Sequence, residues 1–181
     1  MHRKDLIEKL QAYRVRWPEE VAETDRFLAF VMRCSNCFDR SLLEGHVTGA
    51  GWLVNAVGTH VLLTHHRKLD KWLQLGGHAD GDCDVLRVAV TEVGEESGIE
   101  DFEVVNTAIF DVDIHVIPER KGVPEHRHYD VRFAFRTTGS EQFEVSHESH
   151  DLAWVAIDEL EKYTTEPSML RMASKWQAGM V

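Results

Sequence analysis

Three glutamates near the middle of the chain have the spacing of neighbours on one helical surface. Glu92, Glu95 and Glu96 stand at i, i+3 and i+4, so the first carboxylate faces both of the others on a helix. Carboxylates placed this closely repel one another unless they are fully solvated or share a cation. Hard divalent ions such as Mg²⁺ take oxygen ligands of this kind and bridge them to phosphates. The cluster therefore predicts either a divalent-metal site or an ordinary acidic surface.

The helix that carries these glutamates is predicted from its apolar stripe and from its two ends. Apolar side chains at i, i+3, i+4 and i+7 form one stripe that faces the core, and they are Leu86, Ala89, Val90 and Val93. Asp82 or Asp84 can cap the start of the helix, and Gly98 follows its last turn, where a left-handed residue commonly ends a helix. Gly76-Gly77 allows the chain to turn closely into this segment.

The segment from Gly77 to Ile99 resembles the Nudix signature, G-x5-E-x7-R-E-U-x-E-E-x-G-U, in which U is a bulky apolar residue. The three glutamates fall on the last three glutamate positions of that signature, and the bordering glycines and the final apolar residue also match. Two positions depart from it. Cys83 stands at the first glutamate, with an aspartate on each side, and Thr91 stands at the arginine.

This resemblance implies both a fold and a chemistry. The fold is α/β, an α+β mixed sheet in a Nudix-type α/β/α sandwich, and Glu92, Glu95 and Glu96 would bind Mg²⁺ or Mn²⁺. Such ions offset the charge of a diphosphate, lower the pKa of a bound water and stabilise the departing phosphate. Glu148 is the candidate general base because Nudix proteins often have an acidic residue in this loop. A solvated loop glutamate is the alternative at that position.

The implied function is hydrolysis of the diphosphate in a nucleoside diphosphate linked to another moiety, of the ADP-ribose or nucleotide-sugar class. Gly76 and Gly77 would shape the backbone at the substrate. Arg67 and Lys68 could contact substrate phosphates, although an ordinary solvated hairpin edge is the alternative. Two other functions stay open, an isopentenyl diphosphate isomerase-like enzyme and a non-catalytic nucleotide-binding module, and the departures from the signature favour the second of these.

Histidines form a second candidate site, which would hold zinc. Imidazole binds Zn²⁺, Mn²⁺ and iron well, and His126 and His128 share one face of a strand at their spacing. The pattern also resembles isopentenyl diphosphate isomerases, which have a histidine before a W-L-x-N strand, as His46 is here, and a C-G-H sequence where this chain has Gly76-Gly77-His78. The essential cysteine of those enzymes falls on Gly76. Phosphate contacts or an ordinary surface position are the alternatives for the histidines.

The chain is predicted to contain an N-terminal helical extension over residues 1–40 and a Nudix hydrolase domain over residues 41–181. The extension would consist of helices at 3–16 and 19–33, because the apolar residues there have helical spacing. Alternating and apolar runs predict strands, the first two of which could form a hairpin, and a last helix. The predicted elements are Val47–Asn55, Val61–Leu63, Trp72–Leu75, Val104–Val116, Tyr129–Arg136, Leu152–Ile157 and the helix Ser168–Gln177.

Charge and composition indicate which classes of binding partner to expect. The formal net charge of −11 argues against a protein that binds the phosphate backbone of nucleic acids. No apolar run approaches the length of a membrane span and no signal peptide is recognised, so a cytoplasmic location is expected. Cys34 and Cys37 form a C-x-x-C with no second pair, and we expect buried or idle thiols. The expected partner is a small nucleoside diphosphate derivative, and a homodimer stays open.

Overall fold

The computed structural model describes residues 2–67, 69–120, 122–146 and 149–181. Its N-terminal part is helical. Helix α1 spans Lys4–Arg16 and helix α2 spans Val21–Arg33, with a short 3₁₀ turn, Pro18–Glu20, between them. The two predicted helices are therefore confirmed, and the second begins two residues later than expected because Pro18 opens a 3₁₀ turn first.

One mixed sheet forms the centre of the molecule. Among the described residues it has eight strands: β1 (Gly45–Val54), β2 (His60–His66), β3 (Lys71–Leu73), β4 (Leu75–His78), β5 (Phe102–Val104), β6 (Asp111–Ile117), β7 (His126–Thr137) and β8 (Ser149–Ala156). The main path runs β3-β2-β1-β7-β5, while β4 pairs with β1, β6 with β7 and β8 with β2. Strands β1 and β7 are parallel and the other pairs are antiparallel. The predicted mixed sheet with helices is confirmed.

Two predicted strands are wrong in their extent. Trp72–Leu75 is divided between β3 and β4, with Gln74 in neither strand. Val104–Val116 was expected to be continuous, but it is divided between β5 and β6. The chain turns between them at Asn106, whose side-chain oxygen accepts a hydrogen bond from the backbone N–H of Ala108 at 2.9 Å. Asparagine favours such a local turn over a strand ladder, and this explains the break.

Helix α3, Val85–Ser97, covers one face of the sheet. It lies close to β1 because Gly49 and Gly51 have no side chains there. A Cβ on Gly49 would lie 2.9 Å from the Val85 carbonyl oxygen, and one on Gly51 would overlap Val93. The other face of β1 carries Trp52, which packs in an apolar cluster with helix α4, Pro167–Gln177. The predicted α/β/α layering is therefore present around β1.

The buried stripe of α3 differs slightly from the predicted one. Ala89 and Val93 are buried as expected, whereas Leu86 and Val90 are only partly buried at the margin of the core. The full stripe also contains Val85 and Val88, the residues that meet Gly49. Asp84 caps the helix by accepting a hydrogen bond from the Arg87 N–H at 3.1 Å, and Gly98 ends it in a left-handed conformation with φ of 68°.

The two N-terminal helices pack into the same core as the sheet. The ring of Phe30 stacks on Tyr129 of β7 with the ring centroids 3.7 Å apart, and Phe27 meets the same tyrosine edge-on. Cys34 and Cys37 follow α2 as buried free thiols, as expected. The boundary near residue 40 between extension and domain stays a prediction. Within the described residues, no helix combines the length and apolarity that a membrane span requires.

Candidate metal and substrate site

Glu96 joins the end of α3 to strand β4. Its side chain is buried, with 7% of the residue exposed, and its Oε2 accepts a hydrogen bond of 2.8 Å from the backbone N–H of Gly76. A hydrogen bond to a carboxylate is stronger than one between neutral groups, and it holds the carboxylate in one orientation. The sequence prediction that places Glu96 and Gly76 at one site is consistent with this contact.

Glu92 lies one helical turn earlier and is half-buried against the next residue of β4. A Cβ built on Gly77 would stand 2.5 Å from Oε2 of Glu92 and closer still to the other two carboxylate atoms. No side chain larger than hydrogen fits there unless the glutamate moves. The steric reason differs for the two glycines, because a Cβ on Gly76 would overlap Ala50 of β1, and Glu96 contacts only the backbone N–H of Gly76. Both glycines lie within strand β4 and not in the close turn that the sequence predicts.

Glu95 has a different environment from the other two glutamates. It is exposed, and it lines an open depression of about 360 Å³ together with Thr91, Gly94 and Ile99. All three glutamates lie on α3, but only Glu92 and Glu96 contact the glycines of β4. The role of Glu95 as a metal ligand stays a prediction.

The two departures from the Nudix signature have separate structural settings. Cys83 is half-buried and packs against the apolar core. The aspartates beside it serve the start of α3, since Asp84 is the cap and Asp82 forms an ion pair with Arg87 at 2.6 Å. Thr91 is exposed beside Glu95. Both aspartates are therefore engaged in holding the helix N-terminus.

The donor set of Glu92 and Glu96 fits a hard divalent ion. Both residues offer carboxylate oxygens, the type of ligand that Mg²⁺ and Mn²⁺ prefer in proteins. The missing side chain at Gly77 leaves the Glu92 carboxylate close to the backbone of β4. A cation between α3 and β4 would also relieve the repulsion between two carboxylates four residues apart on one helix.

The remaining predicted site residues lie near the start of β8 or outside the described residues. Arg67 is exposed, and its guanidinium donates hydrogen bonds of 2.8 and 3.3 Å to the carbonyl oxygen of Ser149. Arg67 thus holds the backbone at the beginning of β8. Lys68 and Glu148 lie outside the described residues, and their roles as phosphate ligand and general base stay predictions.

The predicted histidine site is gathered in space. His46, His78 and His128 each offer a ring nitrogen, and the three nitrogens all lie within 4.8 Å of one another. The rings of His126 and His115 surround this group, with centroids 5.4 Å from that of His128. Of the four predicted residues the structure therefore brings three to one point, and His126 adjoins them. His115 belongs to the same cluster.

Burial changes the proton affinity of two of these histidines. The pKa of His46 is lowered to about 4, first by desolvation and then by the neighbouring His78 and His126. The pKa of His128 is lowered further, to about 2, again mainly by desolvation and then by His115 and the other histidines. Both rings are therefore neutral at pH 7, and a neutral imidazole is the form that binds a metal ion.

A buried ionic network lies on the face of the sheet that carries His46 and His128, and it was not predicted from the sequence. Arg132 is 2% exposed and forms ion pairs with Asp111, Asp113 and Asp130 at 2.7–3.3 Å. Lys175 of α4 reaches Asp111 at 2.7 Å. The available sequence signal was the alternation of charged residues within two strands, Asp111-x-Asp113 and Asp130-x-Arg132, which places these side chains on one face.

Comparison with known proteins agrees with this geometry. The family model described as the NUDIX domain matches residues 45–176. No curated protein matches the sequence. Among solved structures, a NUDIX-family hydrolase from Clostridium perfringens aligns with a TM-score of 0.58 and 20% identity, covering 74% of this chain and 97% of that one.

Two further similar structures have named ligands or substrates. An Ap4A hydrolase from C. elegans aligns with a TM-score of 0.56 and 20% identity, over 74% of this chain and 98% of that one. The NUDIX domain of Shewanella oneidensis NrtR, solved with ADP-ribose, aligns with a TM-score of 0.51 and 13% identity, over 75% and 88%. At these identities the structures show a common fold. Because the family model covers most of the chain, this protein belongs to the Nudix family of pyrophosphohydrolases.

Proposed function

We propose that this protein is a divalent-metal-dependent hydrolase that cleaves the diphosphate of a nucleoside diphosphate linked to another moiety. The observation that carries the proposal is the meeting of Glu92 and Glu96 with Gly77 and Gly76 of β4. The missing side chain at Gly77 leaves room for the Glu92 carboxylate, and the Gly76 N–H holds the carboxylate of Glu96. Polyphosphate anions approach an acidic protein when cations stand between the two.

Each residue of the site has a proposed role. Glu92 and Glu96 would hold Mg²⁺ or Mn²⁺, with Glu95 as a further ligand from the exposed side. A bound ion of this kind supplies positive charge for the diphosphate and a water of lowered pKa. Glu148 would accept the proton of that water, and Arg67 and Lys68 would contact phosphate oxygens.

The substrate class is proposed from the chemistry of the similar structures. One similar structure is an Ap4A hydrolase, and another was solved with ADP-ribose. Ap4A and ADP-ribose are both nucleosides linked to another group through phosphoanhydride bonds. We therefore propose ADP-ribose or a nucleotide sugar as the substrate, with nucleoside monophosphate as one product.

The test is a screen of ADP-ribose, Ap4A and nucleotide sugars with the full chain, in Mg²⁺ or Mn²⁺, with chromatography of the released nucleotides. Glu96→Gln should reduce metal-dependent release at least 100-fold, because a neutral amide is a poor ligand for a hard divalent ion. Glu100→Gln is the matched control, since this glutamate is exposed just beyond the end of α3 and should retain wild-type rates.

Three results separate the proposal from its alternatives. Equal rates for Glu96→Gln and wild type would exclude the glutamate site. Tight binding of a nucleotide with no turnover in either metal would identify a non-catalytic binding module. Conversion of isopentenyl diphosphate to its allylic isomer, with no release of nucleotide from any compound, would identify an isomerase.

A further inference from the structure

We propose that His46, His78 and His128 form a second metal site, selective for nitrogen-preferring ions of the Zn²⁺ class and separate from the glutamate site. The three ring nitrogens lie within 4.8 Å of one another. In a tetrahedral zinc site, nitrogens that bind the ion at about 2.0–2.1 Å lie about 3.3–3.4 Å apart. Ring rotations that bring the nitrogens closer by up to about 1.5 Å would therefore bring the three histidines to ligand distances.

His46 provides an independent reason to expect a ligand. It is 3% exposed, and among the described residues neither of its ring nitrogens has a hydrogen-bond partner of normal geometry, although the backbone of Leu42 lies nearby. The buried Nε2 of His128 lacks a partner in the same way. Buried polar groups are nearly always paired, because an unpaired one loses its hydration without compensation. A metal ion at this point would satisfy both rings.

The three histidines come from strands whose positions are fixed by backbone pairing. His46 in β1 stands directly beside His128 in the parallel strand β7, and β4 pairs with β1 so that His78 lies opposite Thr48. Ligands on paired strands are held more firmly than ligands on loops, which lowers the entropy cost of metal binding. His78 and His128 are half-buried, so the site also has a route to solvent.

Two outer histidines are oriented toward the same cluster. His126 Nδ1 lies 2.8 Å from the Pro124 carbonyl oxygen, so this nitrogen must carry the proton and leave Nε2 as the basic atom. His115 Nδ1 lies 3.0 Å from Asp113 Oδ2, which fixes its tautomer in the same way. Hydrogen bonds of this kind orient histidines around metal ions in proteins. We infer that His126 or a water molecule takes the fourth position.

The two sites differ in both chemistry and location. Imidazole nitrogens favour Zn²⁺ and related transition metals, whereas carboxylate oxygens favour Mg²⁺ and Mn²⁺. Gly77 faces Glu92, and His78 is the next residue of β4. Since successive residues of a strand point to opposite faces of the sheet, the histidine site and the glutamate site lie on opposite sides of β4.

The test uses the full chain, purified without a polyhistidine tag and freed of metal with a chelator. Titration with Co²⁺ should show one equivalent bound per chain, with visible absorption bands of a four-coordinate ion. His46→Gln and His78→Gln should each weaken binding at least 100-fold. Two control variants should leave the Co²⁺ affinity unchanged. One is Glu92→Gln in the glutamate site. The other is His60→Gln, which replaces a partly exposed histidine at the start of β2.

A second measurement protects the test against a variant that fails to fold. X-ray absorption of the wild-type protein with one equivalent of Zn²⁺ should show nitrogen ligands at about 2.0–2.1 Å and the outer scattering of at least two imidazoles. Equal Co²⁺ affinity in the folded histidine variants and wild type, or a zinc spectrum without imidazole, would overturn the proposal. Either result would leave the hydrolase proposal intact, because that activity is tested with Mg²⁺ or Mn²⁺ at the glutamates.

Discussion

The carboxylate of Glu92 occupies the space that a side chain at position 77 would need. A Cβ added to Gly77 would stand 2.5 Å from Oε2 of Glu92, and no atom pair of that kind can remain so close. The glycine is thus required by a contact between helix and strand, since its own backbone is not in a left-handed conformation. This contact makes the position of Glu92 dependent on β4.

Gly77→Ala should therefore reduce metal-dependent hydrolysis with a modest effect on folding. The added methyl group displaces the Glu92 carboxylate, and displacements of about 1 Å at a reacting centre cost about 100-fold in rate. We expect kcat in Mg²⁺ to fall by at least about 10-fold while the circular dichroism spectrum is unchanged.

Gly94→Ala is the matched control for that substitution. Gly94 lies on α3 close to the glutamates, but its added Cβ would come no nearer than 3.9 Å to a Phe102 ring atom. Alanine replaces glycine in a helix with a gain of about 0.5–1 kcal/mol, so this variant should be slightly more stable and equally active. A similar loss of activity in both variants would contradict the role given to Gly77.

Two substitutions of Glu96 should have different effects on stability and the same effect on activity. In Glu96→Gln the amide oxygen can still accept the hydrogen bond of the Gly76 N–H, so we expect the melting temperature to change little. In Glu96→Ala the partly buried N–H of Gly76 loses this partner, which costs about 1 kcal/mol, the lower end of the range for a buried donor. Both variants should lose Mg²⁺-dependent hydrolysis, as measured by nucleotide release. A large and equal destabilisation by both would mean that Glu96 is mainly a structural residue.

The elements that the sequence predicts best are those whose signal is local. Helix α3 follows from its apolar spacing and from Gly98, whose left-handed conformation ends it. The burial of Val85 and Val88 was missed because it depends on Gly49 of a distant strand, which allows the helix to approach. Spacing along one helix cannot reveal which strand residues lack side chains beneath it.

In the two candidate sites, too, the sequence predicts which residues of one element share a face, but not which distant elements come together. The shared face of His126 and His128 follows from strand spacing, whereas their approach to His46 depends on the parallel pairing of β1 with β7. Sequence alone does not fix that register. The same limit applies to Glu96, because its hydrogen bond with the Gly76 N–H joins α3 to a strand, and spacing along the helix does not predict that contact.

The three cysteines should differ in reactivity according to their burial. Cys34 and Cys37 are buried, and burial raises the pKa of the Cys37 thiol to about 11, so little thiolate forms at neutral pH. Cys83 is half-buried and should react first. Brief treatment of the native protein with iodoacetamide should label Cys83 at least about 10-fold faster than the other two, as measured by peptide mass spectrometry. Labelling in denaturant should equalise all three, and equal labelling of the native protein would contradict the burial of the C-x-x-C pair.

Lys175 should contribute to stability by joining α4 to the N-terminal part of the chain. Lys175 is 3% exposed. Its Nζ lies 2.7 Å from a carboxylate oxygen of Asp111 and 2.6 Å from one of Glu20. The same ammonium group donates a hydrogen bond of 2.7 Å to the Tyr13 hydroxyl. Lys175→Met keeps most of the side-chain volume but leaves two carboxylates without this cation. Breaking a buried ion pair in this way costs about 3–5 kcal/mol, which urea unfolding would measure.

Lys162→Met is the control for Lys175→Met because Lys162 also pairs with a glutamate, Glu159, but with 65% of its side chain exposed. An exposed pair contributes about 0–1 kcal/mol, so the control should unfold almost as the wild type does. Arg171 also contacts Asp111 and can offset part of the lost charge, which places the expected effect of Lys175→Met toward the lower end of its range. A loss below about 1 kcal/mol would mean that α4 and the N-terminal helices are held together by apolar packing alone.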